Sequence, residues 1–89
     1  MINVKENVKD SFRLTEQLND LLVELYSHYF KLKLKEIKSL NPNKLKIEAY
    51  QKEFDRYYQL TLDNQLFASV EKMQNKIDEL LPFYNQLNS

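Results

Sequence analysis

Apolar residues over the first forty positions return every three or four residues: Val4, Val8, Leu14, Leu18, Leu22, Leu25, Tyr29 and Leu32. That spacing keeps to one face of an α-helix and predicts a helix over about 5–40. Asn3, followed by Glu6, has the chemistry of a helix start, where a side-chain oxygen accepts an orphan N–H and an acid suits the positive end. Lys31-Leu32-Lys33-Leu34-Lys35 alternates like a strand. It lies within the longer helical pattern and lacks β-branched residues, so it reads as helix. Asn41-Pro42-Asn43 then interrupts the pattern. The residue before a proline avoids the α region, and proline suits the first position of a new helix, with Asn41 as its cap.

The second stretch carries Ile47, Tyr50, Phe54 and Tyr57, followed by a four-three repeat of Leu66, Val70, Met73, Ile77, Leu80, Tyr84 and Leu87. These two stripes are out of phase, with the shift between Tyr58 and Asp63-Asn64. No glycine or proline lies there, which favours a stutter in one helix over about 43–81. A third helix capped at Asp63 is the alternative. Pro82 is expected to kink or end the helix near Leu81, leaving 82–89 as an extension.

Folding back at residues 41–43 pairs positions whose numbers sum to roughly 84. Leu18 then meets Leu66, Leu14 meets Val70, Val8 meets the Met73–Ile77 turn and Val4 meets Leu80. Nearer the bend, Phe30 meets Phe54 and Tyr26 meets Tyr57-Tyr58. The expected fold is all-α: a single helical domain over 1–89, built as an antiparallel helical hairpin on the order of 55 Å long.

A hairpin needs one apolar stripe per helix, and this chain has more. Phe12, Leu21, Val23, Leu34, Ile37, Leu45, Ile47, Leu62, Phe67 and Phe83 fall partly outside the seam. A buried side chain of this kind contributes roughly 1.5–3 kcal/mol, so the surplus calls for a cover. A third helix from the C-terminal half could supply it. Completion of the bundle by oligomerisation or a partner is the favoured expectation. Candidate interaction residues are Val23, Tyr26, Phe30, Leu34, Ile37, Ile47, Tyr50, Phe54, Tyr57, Tyr58 and Phe67. The aromatics among them cluster near the bend, where they serve either core packing or recognition.

Composition narrows the chemistry. Glycine is absent from the 89 residues, so phosphate-cradling loops and tight primed turns have no raw material. Cysteine is absent too, excluding disulfides and thiolate metal sites. Thirteen basic residues balance thirteen acidic ones, and the chain has no overall field to draw it to nucleic acid or membrane. Lys31, Lys33, Lys35, Lys38, Lys44 and Lys46 nevertheless face a single acid, Glu36, across residues 31–46. This basic patch suits helix-end solvation or an acidic partner. Nucleic acid is disfavoured because the run lacks arginine. His28 is the only histidine, too few for a two-histidine metal site. Acid pairs such as Glu53/Asp55 and Asp78/Glu79 fall on hydrated helix surface by pattern. No enzyme activity and no cofactor are expected. No apolar run reaches the roughly 20 residues of a membrane span, and the N-terminus lacks a signal peptide's apolar core. Cytoplasmic residence is the expectation, with signal-less export compatible.

Asn41-Pro42-Asn43-Lys44-Leu45, followed by Glu48-Ala49-Tyr50-Gln51 and Tyr57, resembles the needle subunits of type III secretion systems and, less closely, their inner-rod subunits. That resemblance implies a non-enzymatic helical hairpin that stacks into a hollow export channel. Asn41 and Pro42 would form its turn, and Tyr50, Gln51 and Tyr57 would lie on the packing helix. The chain departs from that family in its longer C-terminal extension around Pro82-Phe83-Tyr84 and in lacking the polar motif after Tyr57. The expected function is protein interaction or assembly through exposed apolar helix faces, with self-association as a homo-oligomer. Alternatives are a small helical chaperone or inhibitor covering a partner helix, and a nucleic-acid-binding regulator using the Lys31–Lys46 end.

Overall fold

The turn after the first helix shows how this chain bends without glycine. In the computed structural model, which describes the backbone of residues 4–87 and the side chains of residues 10–87, α1 spans Val4–Ile37. The Ser39 amide and hydroxyl both donate to the Glu36 carbonyl, at 3.1 and 2.7 Å, closing the last turn. The Glu36 carboxylate then reaches forward and accepts the Asn43 amide at 3.0 Å. Asn43 takes an extended conformation, and its side-chain oxygen accepts the Leu45 and Lys46 amides. Two orphan donors at the start of α2 (Lys44–Thr61) are satisfied in this way. Among the described residues no φ is positive.

The remainder of the chain is α3 (Asn64–Phe67) and α4 (Val70–Leu87), and no strand occurs among the described residues. The protein is therefore all-α, and its helical hairpin is formed by α1 and α2. Packing divides the chain into two units: one joins the first part of α1, through Leu21, to α3 and α4; the other is the contiguous segment Leu22–Leu62.

Within Leu22–Leu62 the antiparallel register is the expected one. Tyr26 lies against Tyr58, Phe30 against Phe54, and the Lys33 ammonium donates to the Gln51 side-chain oxygen, three pairs whose residue numbers sum to 84. Leu22, Leu25 and Tyr57 are its buried residues. In the other unit, Leu14, Leu18 and Leu21 of α1 are buried, as are Leu66, Met73, Ile77 and Leu80. Thr15 there donates to the Met73 sulfur at 3.5 Å. The expected partners of Val4 and Val8, and the start signal at Asn3 and Glu6, lie outside the described side chains.

Five local expectations are corrected. The cap of α2 is Asn43, not Asn41, and Pro42 precedes the cap instead of opening the helix. α1 ends at Ile37, short of Leu40, because Ser39 turns back onto Glu36. No helix runs over 43–81: the alternative break near Asp63 is the observed one. There the Leu62 amide folds back on the Gln59 carbonyl, and Asp63 accepts the Gln65 and Leu66 amides at 3.1 Å. Ser69 makes a second cap by accepting the Lys72 amide at 3.2 Å. Short oxygen-bearing side chains that bond backbone donors favour caps, and here they end one helix and open the next without glycine or proline. Val70 consequently opens α4 and is 41% exposed, so it leaves the core stripe. Pro82, finally, neither ends nor replaces helix: α4 continues to Leu87. Proline's own φ is helical; its cost is the missing donor to the Asp78 carbonyl, and both residues are exposed, where water can serve that carbonyl.

Candidate functional site

Successive turns of α1 place Tyr26, Phe30, Leu34 and Ile37 on one edge of the Leu22–Leu62 hairpin, at the i, i+4, i+8, i+11 spacing of one helix face. Across the seam, α2 brings Phe54 and Tyr58 to the same edge. Tyr26 packs edge-on against both, at 5.4 and 5.7 Å between ring centres, while Phe54 and Tyr58 stack at 5.7 Å. The rings form a continuous apolar wall, and Tyr26, Ser27, Phe30 and Phe54 line a shallow groove of about 240 Å³. Among the described residues of this face, Phe30, Leu34, Ile37 and Tyr58 keep 46, 37, 45 and 41% of their surface.

The opposite side of the same hairpin is built differently. Tyr29 stacks on Tyr57 at 6.0 Å and lies 6.5 Å from Tyr50, and the Arg56 guanidinium sits 5.5 Å from the Tyr57 ring centre. Burial pushes the Tyr29 hydroxyl above its ordinary value of 10.0; Glu53 adds to this and Arg56 opposes it. Tyr57 is only 3% exposed, so it belongs to the core and offers nothing to a partner.

The remaining expected interaction residues are split. Val23, Ile47, Tyr50 and Phe67 are half-buried, and Phe67 belongs to the other packing unit. The six lysines are also divided by the fold. Lys33 is held by Gln51, whereas Lys31, Lys35 and Lys38 follow one another along the outer edge of α1, beside Leu34. Lys44 and Lys46 sit at the first turn of α2, exposed. Glu36 does not neutralise them: its carboxylate is engaged at the turn.

One feature of this face was missed from sequence. Glu48, Gln51 and Asp55 form a polar ridge along the outer edge of α2, and Gln51 donates to Asp55 at 2.8 Å. Their i, i+3, i+7 spacing was the available signal. The apolar edge is thus flanked by a lysine ridge on α1 and, on α2, by Glu48 and Asp55, with the exposed Lys44 one turn before Glu48 and Lys52 between the two acids.

A second concavity, of about 280 Å³, lies in the other unit between Asp63, Leu66, Lys72 and Lys76. Its Lys76 is paired with Glu79 at 2.8 Å, an exposed i,i+3 contact of small energetic weight. Among the described residues, no group of three or more His, Asp or Glu side chains is placed to hold a metal ion, and no helix is long and apolar enough to cross a membrane. Comparison with protein-family models, with curated proteins and with solved structures returned no match to this chain.

Proposed function

We propose that this protein is a non-enzymatic interaction module that associates with protein through the apolar face of its Leu22–Leu62 hairpin. The observation that carries the reading is the exposed wall of Phe30, Leu34, Ile37 and Tyr58. Phe30 and Tyr58 are held in place by ring packing against Phe54 and Tyr26, so docking on them costs little further ordering. Large aromatic and aliphatic groups fixed on a rigid helix pair are what a partner helix or hairpin can bury at a gain of roughly 25 cal/mol per Å². The likeness of the turn to secretion needle and rod subunits adds support for an assembly role.

Site-specific photo-crosslinking in the cell that makes the protein tests this. A crosslinker at Leu34 or Tyr58 should yield protein adducts in high proportion; one at Ala49, exposed on α2 on the side away from the wall, should yield few. Equal yields at the three positions would overturn the reading. Adduct mass separates self-assembly from a foreign client, as a chaperone or inhibitor would have.

A further inference from the structure

The charges beside the apolar wall say what covers it. Lys31, Lys35 and Lys38 line one edge; Glu48 and Asp55 lie on the other, beside the exposed Lys44 and Lys52, and among the described residues neither these two acids nor Lys31, Lys35 and Lys38 form an ion pair. A ridge of like charges along a helix is mildly destabilising. It becomes favourable when an opposite ridge is laid alongside it.

We propose that the occupant is a second copy of this chain, in a two-fold dimer whose axis runs along the hairpin with both turns at the same end. This rests on the function proposed above and names its partner. Two face-to-face arrangements of identical hairpins are possible. With the axis across the helices, α1 lies on its own counterpart, lysine ridge meets lysine ridge, and carboxylates meet carboxylates. With the axis along the helices, α1 of one copy lies on α2 of the other. The lysine edge then meets the carboxylate edge twice, once on each side, as an isologous interface requires.

The register follows without adjustment. Rotation about the long axis preserves height along the hairpin, so a residue of α1 opposes the α2 residue that shares its level. The in-chain pairs that sum to 84 fix those levels. Phe30 therefore meets Phe54 of the second copy, Lys31 comes beside its Asp55, and Lys35 beside its Glu48. The apolar walls close into a four-helix core and the two charged edges seal its flanks.

Sedimentation equilibrium of the purified full chain tests this, with circular dichroism to verify folding of each variant. The wild type should dimerise. Lys31→Glu with Lys35→Glu should raise the dissociation constant by about 10- to 100-fold, and Glu48→Lys with Asp55→Lys should do the same, because each turns four rim attractions into repulsions. All four substitutions together should restore the wild-type constant to within a few-fold. Phe30→Glu should abolish dimerisation in every background. A quadruple variant no better than the doubles overturns the arrangement. So do charge reversals without effect in a chain that Phe30→Glu still dissociates. A strict monomer overturns the second copy as occupant while leaving the interaction face standing, since crosslinks at Leu34 would then carry a foreign mass.

Discussion

Glu36 is the one acid in a lysine-rich stretch, and its role is to tie the end of α1 to the start of α2 through the Asn43 amide. Asn43 in turn holds two amides of α2. Asn43→Ala removes both cap bonds and should lower stability by about 1 kcal/mol. In a domain of this size that is a fall in Tm of about 4–8 °C, readable by thermal melting. Tyr29 gives a pH dependence of known sign. Its hydroxyl is held above 10.0 chiefly by burial, so the folded state keeps the proton more tightly than the unfolded one. The associated stability is complete below pH 10 and is lost as pH rises through the folded value. Urea melts at pH 9 and 11 should show this loss, and Tyr29→Phe should reduce it.

At the scale of elements, Pro82 within α4 is a residue that the helix tolerates at a cost. Restoring the donor to the Asp78 carbonyl with Pro82→Ala should stabilise the protein by about 1–3 kcal/mol, measured by urea unfolding. A destabilised variant would mean that the proline shape is required where it stands. The pairing of α1 with α2 was legible because the only proline turn fixed the fold-back point and the aromatic positions agreed with it. The break of the second helix was legible only as an alternative. Asp63 and Ser69 act through side-chain bonds that periodicity cannot weigh, and the expectation leaned on absent glycine and proline. The apolar surplus was visible as an excess, yet its edge was not, since both stripes of each helix are apolar and only packing decides which is buried. Tyr57 went to the core and Tyr58, its neighbour, to the surface for that reason.

For the molecule as a whole, a chain of 89 residues has a stability of about 4–13 kcal/mol at the usual 0.05–0.15 kcal/mol per residue. Ile77 is 1% exposed, and Ile77→Ala should remove about 2–5 kcal/mol of it, read as a lower urea midpoint by circular dichroism. Phe12→Ala, at a position 66% exposed, should change stability by less than about 0.5 kcal/mol.

The nesting of one packing unit inside the chain of the other has a consequence during synthesis. Residues of α1 through Leu21 leave the ribosome before Leu22–Leu62, yet their partners in α3 and α4 follow only after the whole of that segment. The inner segment closes a short loop and completes itself early, whereas Leu14 and Leu18 must wait beside the translating machinery with nothing to cover them. Stalled chains of increasing length should become protease-resistant first between Leu22 and Leu62, and around Leu14 only when Leu80 has cleared the exit tunnel.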